Sequence, residues 1–117
     1  MAQTTYTIDL DSGDRMAITV LDLNPGIPFD LTQGMAGGAE AMGGKVLASR
    51  NINIDGWPAI RGRYSMKVDE STGTGWATVI DKNQDVVLAM TYEGWSMPDT
   101  TAAPKVYERA LASIKIK

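Results

Sequence analysis

The chain has 117 residues, of which 44% are hydrophobic and 21% charged, a composition typical of a globular domain rather than a disordered segment. It contains neither cysteine nor histidine, which excludes disulfides, thiol chemistry, zinc sites built on these residues and any catalytic triad with a histidine base. A net charge of −3 argues against non-specific nucleic-acid binding, and the apolar runs are too short to predict a membrane span.

The N-terminus lacks the basic and apolar regions of a signal peptide, since Met1 leads directly into a polar segment that alternates like a strand. A chain complete as given is therefore expected to be cytoplasmic. A mature form with an added Met1 would instead be exported or periplasmic, so the compartment stays open.

The first half of the chain predicts a strand hairpin followed by a helix. Residues 4–10 and 15–23 each alternate between apolar and polar side chains. Residues 24–28 contain two prolines and a glycine, which cannot continue a β-ladder. The apolar side chains of residues 29–44 follow helical spacing despite several glycines, which we interpret as a flexible helix or as one that the glycines allow to lie close to a sheet.

The second half predicts a series of hairpins. Residues 45–54 and 57–68 alternate on either side of Asp55-Gly56, a strong signal for a tight turn. Residues 69–75 are interpreted as a polar loop. Two further strands are predicted, and their ranges are 76–81 and 86–93.

A final helix is predicted near the C-terminus. Thr100 or Thr101 would cap it, and Pro104 fits its first turn. One apolar stripe would face the rest of the protein, formed by Val106, Tyr107, Ala110, Leu111 and Ile114.

The element order is therefore β-β-α-β-β-β-β-α within a single domain of residues 1–117. Antiparallel hairpins with two helices indicate an α+β fold, in which a sheet of about six strands is flanked by the helices as an α/β/α sandwich. The consecutive hairpins argue against a parallel Rossmann-type sheet.

Three segments carry a resemblance to a known fold family: the break at residues 24–28, the Asp55–Ala59 step of the central hairpin, and the final helix at residues 106–115. Together they resemble the PsbP-like superfamily, which includes photosystem II extrinsic PsbP proteins, a Ran-binding nuclear-import factor and bacterial LpqN-type and DcrB-type proteins. The resemblance implies an α+β sandwich with scaffold, assembly or binding roles rather than catalysis.

The candidate binding surface is a basic stripe formed by Arg61, Arg63 and Lys67, which share one strand face. Such a stripe could bind an acidic partner, with Trp57 beside it, or could pair with acidic residues of neighbouring strands. The leading functional hypothesis is a non-catalytic binding or assembly module whose partner is another protein. Its oligomeric state is left open.

The alternative hypothesis is a carrier of a small apolar ligand. The chain has seven methionines and three tryptophans, and methionine adapts readily to apolar pockets. Trp57, Trp95 and Met97 are the candidate pocket residues, although the same side chains could simply fill and seal a core.

Other motifs predict no chemistry. Gly44-Lys45 fails the Walker pattern, since Ala39 and Val46 occupy two of its required positions. Asp9, Asp11 and Asp14 lack the spacing of an EF-hand and are interpreted as a solvated turn. The serines lack a histidine base, so we expect no catalytic residue, metal or cofactor, and an enzyme is the least favoured function.

Overall fold

The computed structural model describes residues 2–10, 13–22, 30–82, 86–95 and 103–114. It contains one six-stranded antiparallel sheet with the spatial order β1-β2-β6-β5-β4-β3. The strands, numbered along the chain, are β1 (Ala2–Asp9), β2 (Arg15–Asp22), β3 (Val46–Ile54), β4 (Trp57–Val68), β5 (Ser71–Lys82) and β6 (Val86–Gly94). Helices α1 (Leu31–Ala41) and α2 (Lys105–Ala112) complete the α+β fold and the predicted element order, which are both confirmed.

The two-residue turn at Asp55-Gly56 determines the register of the central hairpin. Both residues have positive φ, 50° and 84°, the conformation that the tightest hairpin turns require. Ile54 therefore faces Trp57. Along β4, alternate side chains then point to opposite faces of the sheet.

Helix α1 packs on one face of the sheet, mainly over β4 and β5. Asp30 caps it by accepting a hydrogen bond from the backbone N–H of Gln33 at 3.0 Å. The helix buries Met35 and Ala39 in a core cluster with Tyr64 of β4. It contacts β3, β4 and β5.

The predicted reason for the helix glycines is wrong at two positions. A Cβ added at Gly37 or Gly38 would meet no atom within 4 Å, so these glycines do not allow a close approach to the sheet. The close approach comes after the helix, where an added Cβ at Gly43 or Gly44 would overlap a carbonyl oxygen of β4.

Helix α2 packs on the opposite face. Its buried residues, Tyr107 and Leu111, join a second core cluster with Trp76, Tyr92 and Met90. Its observed start corrects the sequence prediction: Pro104 is the N-cap itself and makes no side-chain capping bond, and Thr100 and Thr101 lie outside the described residues.

The predicted loop at residues 69–75 is also wrong. The chain turns at Asp69-Glu70, and β5 already begins at Ser71. Gly75 of this segment lies beneath a large side chain of β4, because an added Cβ there would overlap the Tyr64 ring.

The helices of the described part of the chain are 11 and 8 residues long, and neither meets the length and hydropathy of a membrane-spanning helix.

Candidate functional site

The basic stripe lies on the α2 side of β4. Arg61, Arg63 and Lys67 pair with Thr78, Trp76 and Thr72 of β5 and share one sheet face, as the alternation predicted. Trp57 is four residues from Arg61 on the same face. Lys67 is exposed and lies roughly 20 Å along the strand from Arg61, at about 3.3 Å per residue.

Arg61 is held by helix α2. Its Nη1 lies 3.3 Å from Glu108 Oε2, and its Nη2 contacts the other carboxylate oxygen of the same residue. Its guanidinium carbon lies 5.6 Å from the centre of the Tyr107 ring, within the range of a cation–π contact. The Arg61 side chain is only 20% exposed, and its ion pair with Glu108 links β4 to α2.

The structure shows which acidic residue pairs with Arg61, which the sequence alone did not determine. Pairing within the protein was one alternative for the stripe, but the expected acids were on neighbouring strands. The carboxylate instead comes from Glu108 of α2. The side chain of Arg61 is therefore committed to the fold.

Arg50 of β3 joins the basic residues of β4. It lies directly opposite Arg61 in the ladder and is exposed. Sequence reasoning missed it, although the Asp55-Gly56 turn predicts it. Because this turn places Ile54 opposite Trp57, Arg50 must lie opposite Arg61. Like charges placed directly opposite each other in a ladder repel, so this pair is destabilising without a counter-charge.

These three arginines surround a shallow depression of about 250 Å³ beside the start of α2. We call it the arginine-rich depression and define it by Arg50, Arg61 and Arg63. The remaining lining residues are Ala48, Ser49, Gly62, Trp76 and Ala103. Among the described residues, its lining contains three guanidinium groups and no carboxylate, and Glu108 lies at its border.

Tyr107 connects this site to the stability of the fold. Burial raises the pKa of its hydroxyl from 10.0 to about 12, against the opposing effects of the hydrogen bond with Thr78 and of the Arg61 charge. The two hydroxyl oxygens lie 2.6 Å apart. Burial and the nearby charge of Glu93 also raise the pKa of Tyr64.

We expect the protein to lose stability in alkali because of these two tyrosines. A raised pKa in the folded state favours the neutral hydroxyl, so the contribution is complete below pH 10 and falls as the pH rises towards 12. Tyr107 alone should account for roughly 2–3 kcal/mol, measured by urea unfolding at each pH. Tyr107→Phe should flatten this decline, and an equally steep decline in that variant would contradict the assignment.

The alternative pocket residues do not come together. Trp57 begins β4, whereas Trp95 follows β6 at the opposite end of the sheet, where it lies near Gly73. Met97 lies outside the described residues. A single pocket bordered by Trp57 and Trp95 is therefore wrong.

The prediction that Asp9, Asp11 and Asp14 form a solvated turn is wrong in part. Asp14 is buried and accepts a hydrogen bond from the Tyr92 hydroxyl at 2.7 Å, while Asp9 pairs with Arg15. Asp11 lies outside the described residues. Within the described part of the chain, no group of three or more acidic side chains is close enough to hold a metal ion.

No protein-family model matches the chain, and no curated protein matches its sequence. Among solved structures, the crystal structure of a Pseudomonas aeruginosa protein of unknown function, described as a candidate regulator, has a TM-score of 0.76. The match covers 100% of this chain and 85% of that chain at 17% sequence identity. At this identity the similarity shows a shared α+β fold and transfers no function.

Proposed function

We propose that the protein is a non-catalytic binding module that docks an acidic segment of a partner protein in the arginine-rich depression. The observation that carries this proposal is the concentration of three guanidinium groups around one depression in a chain of net charge −3. Carboxylates are the natural partners of such groups, because guanidinium and carboxylate form paired, charge-assisted hydrogen bonds.

The individual arginines have different roles in this proposal. Arg61 is already bound to Glu108, so its substitution would confuse folding with docking. Arg50 is exposed and Arg63 is half-buried, and both line the depression. The partner carboxylates would contact the exposed Arg50 first, and Arg63 adds its charge to the same depression, with Trp57 and Lys67 further along the same face.

The depression is suited to side chains of a partner rather than to a whole ligand. Its volume of about 250 Å³ is below the usual range of small-molecule pockets. Strand β3 forms one border and is also an edge of the sheet. The proposed binding role agrees with the roles implied by the PsbP-like resemblance, which itself stays a prediction.

The test measures binding of a fluorescein-labelled peptide of eight Asp and Glu residues by fluorescence anisotropy. The acidic peptide should bind, and the matched Asn/Gln peptide should not. Arg50→Glu with Arg63→Glu should weaken binding at least about tenfold, and added salt should weaken it in the wild type. Circular dichroism would verify that the double variant is folded.

Arg109→Glu supplies the matched control for charge. Helix α2 buries Tyr107 and Leu111, which places Arg109 on the opposite, exposed side of the helix. This substitution should change the affinity less than about twofold. Equal losses in Arg109→Glu and Arg63→Glu, or equal binding of the acidic and neutral peptides, would overturn the proposed function.

A further inference from the structure

A second site lies on the opposite face of the sheet. Helix α1 packs mainly on β4 and β5, with fewer contacts to β3. A cleft of about 500 Å³ lies between the helix and strands β1, β2 and β6. This volume is within the usual range for a small-molecule site and is too small for a second helix about 10 Å wide.

The sheet surface that forms the floor of this cleft consists mostly of small side chains, which leave space above the strands. One cross-strand row consists of Thr5, Thr19, Ala89 and Val79, and the next consists of Ala17, Thr91 and Ala77. The Thr5 and Thr19 hydroxyls lie 3.1 Å apart and satisfy each other. The floor therefore offers apolar surface with few free polar groups.

The wall formed by α1 explains its unusual glycines. Gly34 and Gly38 line the cleft together with Met35 and Met42. A Cβ at Gly38 would meet no atom within 4 Å, so glycine here leaves the cleft open rather than bringing the helix closer. Methionine beside glycine forms an apolar wall that can adapt to a flexible chain.

Glu93 is the charged residue of the cleft. Among the described lining residues it has the only carboxylate, and none of them has a basic side chain. Its Oε2 accepts a hydrogen bond from the Trp95 indole at 3.2 Å. A carboxylate has about four acceptor sites, so Glu93 can accept further donors. Arg15 lies opposite Glu93 in the ladder, and its Nε donates to Asp9 at 2.8 Å. Asp9 and, less strongly, the charge of Glu93 raise the pKa of Arg15, so Arg15 only partly offsets the Glu93 carboxylate.

We propose that this cleft binds a single-chain amphiphile with a cationic amine head. The ammonium group would contact Glu93, and the alkyl chain would lie along the small-residue floor against Met35 and Met42. Charge complementarity selects the amine, because the described lining of the cleft presents a carboxylate and no basic side chain. This site is independent of the arginine-rich depression, which lies on the other face of the sheet.

The test compares three probes of equal chain length, dodecylammonium, dodecanol and dodecanoate, by isothermal titration calorimetry below their micelle concentrations. Dodecylammonium should bind at least about tenfold more tightly than dodecanoate. Glu93→Gln should reduce this preference to less than about twofold while dodecanol binding persists. Binding of dodecanoate as tight as that of the amine, or no binding of any probe, would overturn the proposal.

Gly38→Leu and Gly37→Leu test the location of the bound chain. Leucine favours helix formation, so neither variant should unfold α1. Gly38→Leu should fill the cleft and weaken dodecylammonium binding at least about tenfold, whereas Gly37, which does not line the cleft, should tolerate leucine. Unchanged binding in Gly38→Leu would contradict the site. The Arg50→Glu with Arg63→Glu variant should retain amine binding, which separates this test from that of the acidic partner.

Discussion

Replacing Gly44 with alanine is expected to lower the free energy of unfolding by about 3 kcal/mol. The new Cβ would overlap the Ser65 carbonyl oxygen and lie 2.7 Å from the Ser65 hydroxyl oxygen. Both belong to β4, so the segment after α1 would have to move away from the sheet. Two backbone hydrogen bonds would then weaken, from Ser65 N–H to the Lys45 carbonyl and from Lys67 N–H to the Met42 carbonyl, each 2.9 Å long.

Urea unfolding of the Gly44→Ala and Gly37→Ala variants would check this expectation. Gly37 is inside α1, and its added Cβ would meet no atom within 4 Å. Alanine there should therefore raise stability by about 0.5–1 kcal/mol, since it restricts the unfolded chain and favours the helix. Equal stability of the two variants would show that the segment after α1 is not packed as described.

Replacing Tyr107 with alanine is expected to cost about 4 kcal/mol. Its side chain is 0% exposed, and its ring lies 6.5 Å from that of Tyr92 in an edge-to-face arrangement. Alanine would leave a cavity under α2 and remove the hydrogen-bond partner of the buried Thr78 hydroxyl. Arg61 would also lose the ring beneath its guanidinium group.

Val106→Ala is the matched control, because Val106 precedes Tyr107 in the helix but is 38% exposed. It should change the free energy of unfolding by less than about 1 kcal/mol, measured by the same urea titrations. A Tyr107→Ala variant no less stable than Val106→Ala would contradict the packing of α2 through this ring. In the folded fraction of Tyr107→Ala, we expect weaker binding of the acidic peptide, since the border of the arginine-rich depression moves with α2.

Much of the candidate docking site could be predicted from alternation. Every second residue of β4 faces α2, so Arg61, Arg63 and Lys67 had to share a face once the strand was recognised. The Asp55-Gly56 turn also contained the information that places Arg50 opposite Arg61. Glu108 could not be found in this way, because no local pattern fixes the position of a helix 47 residues away along the chain.

The failed predictions share a cause in side-chain packing. Residues 69–75 are predicted as a loop because the segment is polar, but Gly73 and Gly75 lie in β5 beneath large side chains of β4. The alternation of residues 4–10 places Tyr6 and Ile8 on one strand face but does not fix their burial, and on this edge strand they are 64% and 57% exposed. The local sequence indicates which backbone conformation a segment prefers, whereas the burial of its side chains depends on which element packs against it.

The amino-acid sequence by itself determined the class of fold, the order of its elements and the register of the central hairpin. Alternation and turn residues depend only on a few neighbouring residues, so they can be recognised without the tertiary structure. Only the tertiary structure decided that Arg61 is bound to Glu108 and which residues surround the two proposed binding sites. The arginine-rich depression and the cleft beside α1 are each formed by segments far apart in sequence. Such contacts depend on how α1 and α2 pack against the sheet, which no short segment encodes alone.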